Sequence, residues 1–94
     1  MKAKKDTEKL IIRKDKFGLI AFYTEGRANR GNIMSMTFNE GHSEASLEYY
    51  WQTKKPTILE TDRFIKQYRS LYDCNVILKH RLTQKDLHKI WGIK

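Results

Sequence analysis

Residues 75–82 read NVILKHRL, and where this segment goes decides the fold. Val76, Leu78, His80 and Leu82 fall on one side of it, Ile77, Lys79 and Arg81 on the other. A period of two with β-branched residues marks a strand. A strand this short needs partners, so it must join a sheet built elsewhere in the chain.

Those partners lie near the start. KLIIRK (9–14) and FGLIAFYT (17–24) are rich in β-formers and are split by Asp15-Lys16, which predicts a hairpin. In the second run Leu19, Ala21 and Tyr23 alternate with Ile20 and Phe22, so both faces are apolar. Such a strand belongs in the middle of a sheet. EGRANRG (25–31) is a loop bracketed by Gly26 and Gly31, and NIMSMTF (32–38) is a third strand with Met34, Met36 and Phe38 on one face. Residues 1–8 read as a basic flexible tail, leaving 9–94 as a single α+β domain.

The stretch EGHSEASLEYYWQT (40–53) predicts a helix start. Ser43 is placed as N-cap with Glu44 in the first turn, and Leu47, Tyr50 and Trp51 make one apolar face. Lys54-Lys55-Pro56 ends this helix, because proline restricts the residue before it. Thr57 and Glu60 form a capping box for the next helix, whose buried stripe is Thr61, Phe64, Ile65, Tyr68, Leu71 and Tyr72. Thr83 and Asp86 open the last helix; Leu82 staples onto Leu87, while Leu87, Ile90 and Trp91 dock it and Gly92 stops it.

The order β-β-β-α-α-β-α therefore predicts a small antiparallel sheet with helices packed on one face. Residues 75–82 join it beside either the first or the third strand. The third has no basic residue between Ile33 and Phe38, whereas the first carries Lys9, Arg13 and Lys14. Pairing with the first concentrates positive charge on one edge, against some like-charge repulsion. Charged edges also deter sheet-to-sheet aggregation. The first strand is the favoured partner, because a concentrated basic edge can track phosphates.

The formal net charge of the 94 residues is +8, and the excess lies at the two ends of the chain. A field of this kind attracts nucleic acid, anionic surfaces or acidic proteins, although it also serves solubility. No apolar run reaches the roughly 20 residues of a membrane span. The basic start MKAKKDTEKL is followed by no apolar stretch with a cleavage site, so no signal peptide is expected. Cys74 is the only cysteine, which precludes an internal disulfide and fits a cytoplasmic protein.

Catalytic signals are sparse. Glu40, His42 and Glu44 alternate and suggest a metal or acid–base site, but no second ligand cluster accompanies them. His42 is better read as part of the helix start. Cys74 follows a helix C-terminus, where no dipole activates its thiol. No nucleophile elbow or nucleotide fingerprint occurs, so no cofactor, no metal and no enzymatic activity is expected. LTQKDLHKIWGIK (82–94) looks like the first half of a helix-turn-helix, but no recognition helix follows Gly92.

Basic residues carry the remaining signal. Arg27 and Arg30 sit in the glycine-bracketed loop, where guanidinium forks and free amides suit phosphate oxygens. Together with Arg13, Lys14, Lys79 and Arg81 they make the expected nucleic-acid-binding set, contacting the phosphate backbone with low sequence specificity. The alternative is a protein-interaction module that takes an acidic partner or associates with itself.

GHSEASLEYYWQTKKPT (41–57), followed by an amphipathic helix and VILKHRL, resembles small uncharacterised proteins of phages and conjugative elements. Their pattern runs Gly-Gln-His, Tyr-Tyr, Thr-Arg-Pro, a helix and a closing basic strand. It maps onto Gly41-His42, Tyr49-Tyr50 and Thr53 to Pro56, but the Gln is absent here and Lys-Lys stands in place of Arg. The resemblance implies a mobile-element setting and no catalytic residue.

Overall fold

The computed structural model describes residues 7–93. Its elements are β1 (Thr7–Asp15), β2 (Gly18–Tyr23), β3 (Asn32–Thr37), β4 (Gly41–Ser46), α1 (Leu47–Gln52), α2 (Ile58–Tyr72), β5 (Asn75–Lys79) and α3 (Gln84–Trp91). They form an α+β fold around one five-stranded sheet of order β4-β3-β2-β1-β5. β1 begins at Thr7, so Thr7 and Glu8, expected in the tail, are paired with Asn75 and Val76. The rest of the expected tail lies outside the described residues.

β5 joins β1, one of the two open edges, with Leu10 beside Leu78 and Ile11 beside Lys79. The pairing is parallel, so the sheet is mixed rather than wholly antiparallel. The route of α2 explains the direction. Glu60 in its first turn meets Lys14 near the end of β1, and Tyr68, further along, meets Tyr23, which pairs with Leu10. α2 thus runs back over the sheet, and β5 re-enters in the direction of β1.

A fourth strand replaces the expected helix start. Residues 41–46 pair antiparallel with β3, from Thr37↔Gly41 to Asn32↔Ser46. Gly41 adopts φ +78°, which a side chain would disfavour, and lets the chain turn into this edge strand. The N-cap of α1 is accordingly Ser46, whose hydroxyl accepts the Tyr49 N–H at 3.0 Å, and not Ser43.

Helices cover both faces, which corrects the one-face expectation. Leu10, Ile12, Ala21, Tyr23 and Met36 turn towards Phe64 and Tyr68 of α2. Ile11, Ile20, Phe22 and Ile33 turn the other way, onto Tyr50 of α1 and Leu82 and Ile90 of α3. The double apolar alternation of β2 is satisfied by two cores, one on each side of the sheet. Each fully buried aliphatic or Phe side chain contributes about 1.5–3 kcal/mol, so neither helix layer is dispensable.

The capping boxes at Thr57/Glu60 and Thr83/Asp86 form as expected, and Gly92 ends α3 at φ +71°. Three expected core residues do not bury. Trp51 is 63% exposed, because in the short α1 it is Tyr50 that fills the space against Phe22, edge to face at 5.0 Å. Leu71 is 60% exposed, and Tyr72, 39% exposed, packs against Tyr68 of its own helix and His42 on the edge strand β4.

Candidate nucleic-acid interface

The parallel register brings the basic stretches of β1 and β5 side by side. Ile11 neighbours Lys79, and Arg13, two residues on, points to the same side of the sheet. Beyond Lys79 the chain of β5 leaves β1. The vacated edge is taken by Lys54, which exchanges backbone hydrogen bonds with Lys14, both at 2.8 Å. Between the departing strand and the incoming connection lies a notch of about 310 Å3, lined by Arg13, Lys55, Lys79 and His80 and by one carboxylate, Asp62, over an apolar floor that includes Ile12 and Leu78.

Not all of these cations are free to meet a ligand. Arg13 donates from Nε to the Thr53 hydroxyl at 3.0 Å and from Nη2 to the Thr53 carbonyl at 2.6 Å. Its guanidinium lies 5.7 Å from the centre of the Tyr50 ring. Thr53 is buried and donates its own hydroxyl to the Tyr50 carbonyl at 2.6 Å. Arg13 is therefore a bracket that fastens the α1–α2 connection to β1.

Lys14 lies on the opposite side of the sheet from Arg13 and pairs with Glu60 at 2.9 Å. The Thr57 N–H and then the Lys14 ammonium hold the Glu60 carboxyl down at about 2. Lys79 reaches both oxygens of Asp86, at 2.8 and 3.1 Å. Burial pushes the Asp86 carboxyl up, but the Lys79 ammonium and the Thr83 N–H and hydroxyl outweigh it and hold it below its ordinary value. These two lysines are half-committed to structure.

Lys54, Lys55, His80 and Arg81 are exposed, and none makes an ion pair with another described residue. Lys55 and His80 line the notch, and Lys54 and Arg81 adjoin them along the chain. Lys54 and Lys55 lie outside the expected set, because Lys-Lys-Pro reads only as a helix terminator. Lys54 reaches the sheet by pairing with a residue far away in sequence, and only the tertiary fold reveals such a bridge.

Arg27 and Arg30 belong elsewhere. Their loop joins the end of β2 to the start of β3, and Tyr23 pairs with Leu10, at the opposite end of β1 from Arg13 and Lys14. A six-residue strand spans roughly 20 Å, which separates the two groups. The loop is also tied down: the Ala28 N–H donates to the Ile90 carbonyl at 3.1 Å, and the Asn29 N–H to Glu44 at 2.9 Å. The Arg27 guanidinium lies so close to Gly92 that a Cβ there would meet Nη2 at 2.5 Å. A cation at this helix C-terminus suits the macrodipole.

His42 is not at a helix start but on β4, where its Nε2 meets the Tyr23 hydroxyl at 2.9 Å. Among the described residues no three of His, Cys, Asp and Glu gather as metal ligands, and no helix is long and apolar enough to cross a membrane. No protein-family model, curated protein or solved structure compared with the chain matches it.

Proposed function

We propose that the notch at the β1–β5 edge is a non-enzymatic binding surface for the phosphate backbone of nucleic acid, with low sequence specificity. The observation that carries this reading is the exposed Lys55 and His80 lining the notch, with exposed Lys54 and Arg81 next to them in the chain. Ammonium and guanidinium groups on strand ends and a connection meet phosphates, whereas base readout needs an element inserted into a groove. The resemblance to small proteins of phages and conjugative elements makes an accessory role on such an element the setting of the proposal.

Fluorescence anisotropy with two unrelated labelled duplexes at low salt tests it. Comparable affinity for both, falling steeply as salt rises, supports the reading. Replacing Lys55 and Arg81 together by Ala should weaken both duplexes equally and flatten the salt slope by about 0.9 for each phosphate no longer neutralised.

One observation favours a second reading, an acidic protein partner. Ile58 lines the same notch and is 80% exposed, and Ile77 on the edge strand is also exposed. Apolar groups beside cations suit an acidic amphipathic segment, and such a partner competes with DNA for the notch.

A further inference from the structure

A second cavity, of about 390 Å3, opens on the α2 side of the sheet, and its chemistry is the reverse of the notch. Tyr23, His42, Tyr68 and Tyr72 line it and pack on one another, His42 and Tyr72 at its mouth and the buried Tyr23 and Tyr68 behind them. Ring centres are 5.6 Å apart from Tyr23 to His42, 5.6 Å from His42 to Tyr72 and 4.7 Å from Tyr72 to Tyr68. The Tyr68 and Tyr23 hydroxyls meet at 2.7 Å. Tyr23 also meets His42 Nε2, so the buried phenols are fixed in orientation. Glu8 and Met34 line the same space, and among the described residues neither lysine nor arginine does.

The described lining therefore carries a carboxylate and aromatic rings where the notch carries Lys55 and Arg13. Burial raises the Tyr68 hydroxyl above the ordinary phenol value and the Tyr23 hydroxyl well above it, so both rings remain neutral. Neutral aromatic faces attract a poorly hydrated cation through their quadrupoles. The Glu8 carboxylate at the wall supplies the counter-charge, and a strongly hydrated ion such as sodium would lose too much solvation to enter.

We propose that this aromatic cup binds an organic cation of the quaternary or alkylated ammonium class, with Tyr23, His42, Tyr68 and Tyr72 as its walls and Glu8 as its counter-charge. The site is separate from the phosphate-binding notch and does not depend on it. The same headgroup occurs on small molecules and on methylated lysine side chains, and both fit this chemistry.

NMR titration of the full chain with tetramethylammonium chloride, against sodium chloride as control, tests the site. Saturable shifts at Tyr72, His42 and Met34 are expected. Choline and an acetylated trimethyl-lysine amide then separate a free small cation from a modified side chain by their relative affinities. The neutral isostere of choline, 3,3-dimethylbutan-1-ol, should bind at least roughly tenfold more weakly. Tyr72→Leu keeps apolar area but removes a π face, and Glu8→Gln keeps shape but removes the charge. Each should weaken tetramethylammonium binding roughly threefold to tenfold, with the amide spectrum otherwise intact. Should Tyr72→Leu disturb the fold, Glu8→Gln carries the test alone. Absence of saturation by about 0.1 M, or equal binding of the neutral isostere, overturns the proposal.

Discussion

Lys14 and Lys54 donate their backbone N–H groups to each other's carbonyls, both at 2.8 Å, in a bridge that closes the edge of β1. Two like charges on paired residues repel. Here Glu60 takes up the Lys14 ammonium on the α2 side, which leaves Lys54 for solvent or a ligand. The same bridge sets the position of Lys55 at the notch.

Arg13 holds that connection in place, so its removal should read as a stability loss before a binding loss. Arg13→Ala breaks two hydrogen bonds from a charged donor to Thr53, and should cost about 2 kcal/mol by urea denaturation. Arg13→Lys should recover only part of this, because an ammonium cannot reproduce the fork. An unchanged urea midpoint in Arg13→Ala would mean that Thr53 is held by α1 alone.

Glu60 links the same region to pH. Its folded value of about 2 lies below the ordinary 4.5 because of the Thr57 N–H and the Lys14 ammonium. A depressed carboxyl stabilises the fold above its unfolded value, and that contribution is lost as pH falls from about 4.5 towards 2. Glu60→Gln should therefore flatten the fall of the thermal midpoint across this window. Parallel midpoint curves for wild type and variant would show that Glu60 does not report folding.

The two aromatic helices give a contrast that depends on burial alone. Phe64 is 2% exposed and packs at a tilt against Phe38, ring centres 4.6 Å apart, while Trp51 is 63% exposed. Phe64→Ala should cost about 3–5 kcal/mol. Trp51→Ala, though it deletes a larger side chain, should cost under about 1 kcal/mol. Comparable losses for the two, measured by chemical denaturation, would show that α1 packs more deeply than the exposure of Trp51 indicates.

What the residues announce in advance follows a physical division. Local signals are legible: the capping boxes at Thr57 and Thr83, the stop at Gly92, and the two-faced strand around Ala21 and Phe22. The pairing of β5 with β1 is not legible: either free edge could take the strand and like-charge repulsion opposes β1, so the choice is set by the route of α2 back over the sheet. The strand at 41–46 is not legible, because Gly-His-Ser-Glu-Ala-Ser contains no β-branched or large apolar residue and is made a strand by pairing with β3. Helical periodicity indicates which side of α2 faces inward but not where the sheet beneath it ends, so it places Leu71 in a core that does not reach it. Of the expected phosphate-binding set, Arg13, Lys14 and Lys79 lie towards the same end of β1, but Lys14 is on the opposite face of the sheet and all three are engaged within the fold. The aromatic cup requires Tyr23, His42 and Tyr68 to converge from three elements, which no local pattern encodes.

Lys79 separates the structural and binding roles at this edge. Its ammonium satisfies the buried Asp86 carboxylate, so Lys79→Ala should destabilise the fold, and Asp86→Asn in that background should restore part of the loss. Arg81→Ala, at an exposed position, should leave stability within about 0.5 kcal/mol. A double-mutant cycle by thermal melting checks the pair; simple additivity would show that Lys79 and Asp86 do not interact.

The most direct measurement is the salt dependence of duplex binding by the wild-type chain and by a Lys54→Ala, Lys55→Ala, Arg81→Ala variant whose melting temperature matches it. Wild type is expected to bind two unrelated sequences with similar affinity, with log K falling linearly with log salt, and the variant to bind more weakly with a shallower slope. Absence of wild-type binding at low salt, or a variant with the same affinity and slope, would contradict a phosphate-binding notch.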